Sequence, residues 1–121
     1  NEFIVHHKTS GMAVGAYSPV VSGALAKLAE DGNTERWSAG QKVWYDLPYN
    51  HKVACRLKKL SEETGYTMTQ LQLAYVLAQP HGFSNFAISG SANMEQLIEN
   101  MGAMQIDMTS EMIQYLQPKD C

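Results

Sequence analysis

Two short apolar runs, Met12–Ala16 and Phe83–Ile88, stand apart in this chain with roughly 60 residues between them, mostly of helical pattern. Strands so far separated cannot form a tight hairpin. The helical stretch reads instead as a crossover, which makes the two strands parallel and the fold class α/β. The second run is apolar enough to be expected buried on both faces of a parallel sheet. Residues 2–9 read as the end of a helix that Gly11 closes before the first strand.

The crossover divides by local signals. Ala24, Leu25, Leu28 and Ala29 have helical spacing and stop before the turn Asp31-Gly32-Asn33. Residues 33–49 read as a polar loop closed by Pro48, whose aromatics Trp37, Trp44 and Tyr45 are expected to pack over something. From His51 on, Val53, Ala54, Leu57 and Leu60 recur once per turn, with Asn50 as the expected N-cap and Gly65 as the C-terminal stop. Thr67 and Gln70 have capping-box spacing and open a helix that is apolar nearly all round, through Leu71, Leu73, Ala74, Tyr75, Val76, Leu77 and Ala78. Pro80 and Gly82 end it. A helix from Asn93 to Gly102 is expected to turn Leu97, Ile98 and Met101 inward. Thr109 or Ser110 then caps a short helix bearing Met112, Ile113 and Leu116. The Met101, Met104, Met108, Met112 series reads as gap-filling core, interrupted at residues 106–108.

The segment Ser89–Asn100 carries the chemistry. An apolar strand runs into the small-residue turn Ser89-Gly90-Ser91-Ala92-Asn93 and then into a helix. Such a turn lets a ligand approach the backbone, and the free amides at a helix N-terminus favour a phosphate. The same residues would equally serve as a capped connection with no ligand. On the first strand, Tyr17-Ser18-Pro19-Val20-Val21-Ser22-Gly23 similarly places an aromatic, hydroxyls and a glycine after a buried run.

Together these two segments resemble the aldo-keto reductase family. Its seventh barrel strand ends in an aromatic-Ser-Pro-Leu pattern, and its eighth is followed by a Gly/Lys-Ser turn and a helix carrying (Arg/Gln)-Leu-x-Glu-Asn. Here these are Tyr17-Ser18-Pro19-Val20 and Gly90-Ser91 with Gln96-Leu97-Ile98-Glu99-Asn100. Residues 60–80 also look like the family's paired helices before strand eight, and the likeness runs in one order over about residues 10–117. It implies the C-terminal portion of a TIM (β/α)8 barrel and a nicotinamide cofactor, NADP with NAD possible. Tyr17 would then stack on the nicotinamide, an aromatic face adding contact without a competing polar group. Ser18, Pro19, Val20, Ser22 and Gly23 would line the pyrophosphate. Gly90, Ser91, Ala92 and Asn93 would receive the adenosine-side phosphate, and Gln96, Glu99 and Asn100, which share a helical face, would meet the adenine.

The chain departs from the family pattern in three places. Val20 stands where Leu is common, Gly90 where many NADP-preferring members place Lys, and Gln96 where they place Arg. Potassium-channel β subunits, another branch, carry Gly and Gln there. The family's catalytic Asp, Tyr, Lys and His come from earlier strands, and none maps onto this chain. The implied parent is a reductase of an aldehyde or ketone whose proton donor lies outside this segment. A regulatory subunit that keeps the cofactor cleft, or an α/β module that binds nothing, would use the same residues.

Composition sets the remaining bounds. A TIM barrel takes about 250 residues, and this chain has 121 and begins at Asn1, so it reads as the C-terminal part of a longer reductase that needs the remainder of its barrel. A net charge of −3 gives no basic surface for tracking nucleic acid. Cys55 and Cys121 lack zinc or disulfide-scaffold spacing, which leaves a reducing cytoplasm as the expected setting. No 18-residue apolar run suggests a membrane span. His6, His7, His51 and His81 have no metal-site or general-base spacing and read as surface or capping residues.

Overall fold

A computed structural model describes residues 2–80 and 82–117. His81 and Cys121 lie outside them. The order is α1 (Glu2–Ser10), β1 (Val14–Tyr17), α2 (Ala24–Asp31), α3 (Ala39–Tyr45), α4 (Pro48–Thr64), α5 (Met68–Leu77), β2 (Asn85–Ile88), α6 (Met94–Gly102) and α7 (Ser110–Leu116). Single 3-10 turns at Val21–Gly23 and Ala103–Gln105 precede α2 and follow α6.

β1 and β2 pair in parallel, Val14 opposite Asn85 through Tyr17 opposite Ile88. This α/β arrangement, with two parallel strands joined by a helical crossover, is consistent with part of a TIM-barrel-like fold. The sheet is covered on one side only. Val14, Ala16, Asn85 and Ala87 are partly buried, whereas Tyr17, Phe86 and Ile88 are exposed, so the expected burial of β2 on both faces is not met within this chain. Phe86 lies across Gly15, where a Cβ would stand 2.8 Å from its ring. On the covered side Asn85 Nδ2 donates to the Val76 carbonyl at 2.9 Å, fixing β2 to the end of α5.

The core lies among the helices. Leu25, Leu57, Leu60, Leu71, Ala74, Met108 and Leu116 form one buried cluster, which joins α2, α4, α5 and α7. Ala24, Leu28, Ala29, Trp37 and Ala54 form a second, and partly buried Val21 and Met68 touch both.

Several local expectations hold. Gly32 and Gly65 end α2 and α4 at φ 71° and 77°, a left-handed conformation that glycine adopts without a Cβ clash. Thr67 and Gln70 form their capping box, Thr109 caps α7, and Ile106 is extended, breaking the methionine series. Four expectations need correction. The 33–49 loop contains α3, which opens on a Ser38–Gln41 capping box of the same kind as the one on α5. α4 starts at Pro48, not after Asn50: proline suits the first helical position because its missing N–H would have no partner there. Asn50 instead donates its side-chain amide to the Tyr45 carbonyl at 2.8 Å, closing α3. Trp44 is exposed while Trp37 is buried. On α6, Leu97, Ile98 and Met101 are all exposed: the helix packs on α5 and on the 3-10 turn that follows it, and Leu97 and Met101 border an open apolar pocket with Leu73, Leu77 and Phe86.

Gln70 ties α6 in place. Its carboxamide oxygen accepts from Thr67 N at 3.1 Å, completing the cap, and its Nε2 donates to the Glu99 carbonyl at 3.2 Å. Gln70→Ala removes both and is expected to lower stability by about 1–2 kcal/mol. Urea unfolding checks this; an unchanged midpoint would mean that the two bonds contribute nothing.

Candidate functional site

The first half of the site is the turn after β1. Tyr17 ends the strand and is 87% exposed. The backbone then takes positive φ at Ser18 (52°), Val21 (44°), Ser22 (53°) and Gly23 (74°). Such a φ is an outlier for β-branched Val21, and conformations of this kind cost about 1–3 kcal/mol each unless the surroundings impose them. Here they are imposed from both sides. Within the turn, Val21 N donates to Ser18 O at 3.0 Å and Gly23 N to Val20 O at 2.8 Å. From outside, Gln41 Nε2 donates to the carbonyls of Val21 (3.3 Å) and Ser22 (3.2 Å), and Trp37 Nε1 donates to the Ala24 carbonyl at 2.9 Å.

The second half is the turn after β2. Asn93 caps α6, its Oδ1 accepting from Gln96 N at 2.9 Å, and Gln96 Oε1 accepts from Ala92 N at 2.8 Å. Asn100 Nδ2 donates to the hydroxyls of Ser89 and Ser91, both at 3.0 Å. In this structure the Gln96 and Asn100 side chains therefore brace the turn from the helix that follows it.

Because Tyr17 and Ile88 are register partners, both turns leave the sheet at the same end. They line a single open cleft of about 660 Å³. Of the residues singled out from sequence, Val20, Ser22 and Gly23 line one wall, and Gly90, Ser91, Ala92, Gln96, Glu99 and Asn100 line the other. Tyr17, Ser18, Pro19 and Asn93 are not among the lining residues: the Tyr17 ring projects at the strand end, and Pro19 faces a smaller apolar pocket with Leu25, Tyr49 and Val53. Two lining residues were not anticipated, Lys27 of α2 and Thr69 of α5. Neither belongs to a recognisable motif. The roles of Gln41 and Trp37 in holding the turn were missed too, although Ser38 and Gln41 carried the capping-box spacing that marks α3.

Residues 1–120 match the Aldo/keto reductase family. This chain belongs to that family. Versiconal hemiacetal acetate reductase of Aspergillus parasiticus is 28% identical over 121 residues, covering 96% of this chain and 34% of that protein. Aldo-keto reductase str7 of Strobilurus tenacellus is 33% identical over 106 residues, 84% of this chain and 31% of that one. A probable voltage-gated potassium channel subunit beta of Oryza sativa subsp. japonica is 26% identical over 113 residues, 88% of this chain and 34% of that one. The chain thus spans about a third of the length of the curated relatives it matches.

His7, His51 and Asp31 of this aldo-keto reductase chain are not among the residues that line the cleft. Of the surface and capping roles expected for His7, the surface one fails, since the residue is buried: its Nδ1 is 2.8 Å from the Met12 carbonyl just past α1, and its ring lies between Phe3 and Phe83, which docks α1 beside β1. His51 Nε2 lies 2.7 Å from Asp46 Oδ1, joining the end of α3 to α4. The hydrogen-bonded Arg36 guanidinium holds the exposed Asp31 carboxyl below its ordinary range, across the turn that follows α2. Among the described residues no group of three or more His, Cys, Asp or Glu could hold a metal ion, and no helix is long and apolar enough to cross a membrane.

Proposed function

We propose that this chain is the cofactor-binding C-terminal part of a cytoplasmic aldo-keto reductase, with β1 and β2 as strands seven and eight of a (β/α)8 barrel. The parent would reduce an aldehyde or ketone with NADPH or NADH. The single cleft shared by the two turns carries this reading, since a dinucleotide needs both a pyrophosphate wall and an adenosine wall. The residues present suit such a ligand. Nothing lies within 4 Å of where a Cβ at Gly23 or Gly90 would stand, which leaves the backbone open to close approach. Ser22 and Ser91 bring hydroxyls to opposite walls, and the exposed Tyr17 ring offers a stacking face.

When bound, the reduced cofactor supplies the hydride; this chain orients it. The strained Ser18–Gly23 turn arrives preorganised, so little ordering cost falls on binding. Bracing by Gln96 and Asn100 does the same for the second turn. Proton transfer falls to residues of the remaining barrel.

Gly90→Lys tests the assignment. A Cβ at that position meets nothing within 4 Å and the substitution adds a cation, so NADPH is expected to tighten about ten- to a hundredfold and NADH much less. Glu99→Ala is expected to weaken both cofactors alike. Titration calorimetry with the two cofactors reads both effects; no change in either affinity for either variant would reduce the turn to a mere connection. A second reading, a regulatory β subunit that keeps the cleft, is favoured by Gly90 and Gln96 and by the similarity to the rice protein. It expects the same cofactor binding, but no carbonyl turnover by the intact parent.

A further inference from the structure

A second pocket, of about 200 Å³, adjoins Pro19 and is lined otherwise by residues of α2, α4, α5 and α7. Leu25, Leu57 and Leu116, three members of the larger helical cluster, border it. No charged side chain lines it, so an ion entering would lose hydration without meeting a counter-charge. Two of its polar lining groups have partners: Asn50 Nδ2 donates to the Tyr45 carbonyl at 2.8 Å, and Tyr75 Oη accepts from Gln117 Nε2 at 2.9 Å. Gln72 differs. It is 7% exposed on α5, and its Nε2 donates to the Met68 carbonyl at 3.2 Å, but its Oε1 accepts nothing. Among the described residues this is the only buried side-chain nitrogen or oxygen so left. Protein interiors pair such atoms, because an orphaned acceptor gives up its bonds to water without replacement.

We propose that this pocket binds a small neutral molecule with a compact apolar body and one hydroxyl, a substituted phenol being the simplest, and that Gln72 Oε1 accepts the hydroxyl hydrogen. The volume suits such a ligand: about 150 Å³ of apolar cavity holds a benzene ring, and this pocket, at about 200 Å³, leaves space for a substituent. Leucine and valine side chains supply contact without orientation, and Gln72 supplies the orientation, since a ligand without a donor leaves its oxygen unpaired. No lining residue is shared with the cleft between the two turns, so the assignment does not rest on the cofactor reading. Pro19 nevertheless belongs to the turn whose Val20, Ser22 and Gly23 line that cleft, so an occupant of the pocket touches the segment that shapes it.

Titration of the full chain with p-cresol and with toluene, which is p-cresol without the hydroxyl, tests this through amide chemical shifts. Wild type should bind p-cresol saturably, with the shifts centred on Leu25, Val53 and Val76 and not on Phe86 and Ile88 of the uncovered sheet face. Gln72→Met keeps the side chain's bulk and removes the acceptor, so p-cresol should weaken about tenfold while toluene binds as well as before, which also shows that the variant is folded. If p-cresol does not saturate wild type, or its shifts centre on β2, the pocket is not its site and the proposal is overturned. It is overturned equally if Gln72→Met leaves p-cresol unchanged, or weakens both molecules alike, since either result means that Oε1 does not recognise the hydroxyl.

Discussion

Trp37→Ala is expected to destabilise the chain by about 3–5 kcal/mol, the range for emptying a large buried aromatic site. Trp37 is 4% exposed and packs with Ala24, Leu28, Ala29 and Ala54, three of them alanines with no side-chain rotamer that could fill the space. Its N–H also leaves the Ala24 carbonyl without that donor. Set against a total stability of about 5–15 kcal/mol for an ordinary domain, this loss leaves a large unfolded fraction in mild denaturant. Trp44→Ala, at a side chain 74% exposed, is expected to change stability by less than about 0.5 kcal/mol. Urea midpoints of the two variants decide the matter. Equal midpoints would show that Trp37 does not pack as described. Since Trp37 lies beneath the start of α2, its loss should also loosen the Ser18–Gly23 turn and weaken any adenine nucleotide that the folded fraction binds.

Leu71→Ala is expected to cost about 2–5 kcal/mol, with the upper half of the range favoured by a side chain that is 0% exposed. It joins Leu57 and Leu60 of α4 to Leu116 of α7, so its truncation opens the largest cluster near its middle. Unlike Trp37, it sends no hydrogen bond to the start of α2. Nucleotide affinity per folded molecule should therefore stay within roughly twofold of wild type while the urea midpoint falls. A parallel loss of affinity would show that the helical core and the cleft are not separable.

Sequence reading recovered the parallel strands and the crossover from local patterns, while the convergence of the two turns on one cleft followed from the family resemblance. Apolar runs too distant for a hairpin, glycines at left-handed stops and capping boxes all act within a few residues. The misses need longer range or a rule left unapplied. The Ser38–Gln41 box was as legible as Thr67–Gln70 but was hidden by the polar composition around it. Asn50 was a sound N-cap candidate, and Pro48 displaced it by starting the helix earlier. Inward packing of Leu97, Ile98 and Met101 was inferred from periodicity, which shows that a helix has an apolar face but not whether anything within the chain covers it. Lys27 reached the cleft only through the geometry of α2. A lysine in an amphipathic helix gives no sign in sequence of which cavity its stem will border.

The pairing of Tyr17 with Ile88 has a thermodynamic corollary. Adjacent strands lie about 4.8 Å apart, so a ligand held by both turns would span the sheet at its end like a staple. Sliding β2 by a single residue would offset the turns by about 3.3 Å and exchange the faces on which Phe86 and Ala87 stand. Any dinucleotide that fits the cleft therefore binds only the native alignment and stabilises it by mass action, increasingly as ligand concentration exceeds its dissociation constant. With one sheet face uncovered in this chain, alignment receives little help from burial on that side. Ligand saturation would then read as slowed amide exchange along Val14–Tyr17 and Asn85–Ile88, far more than along α4.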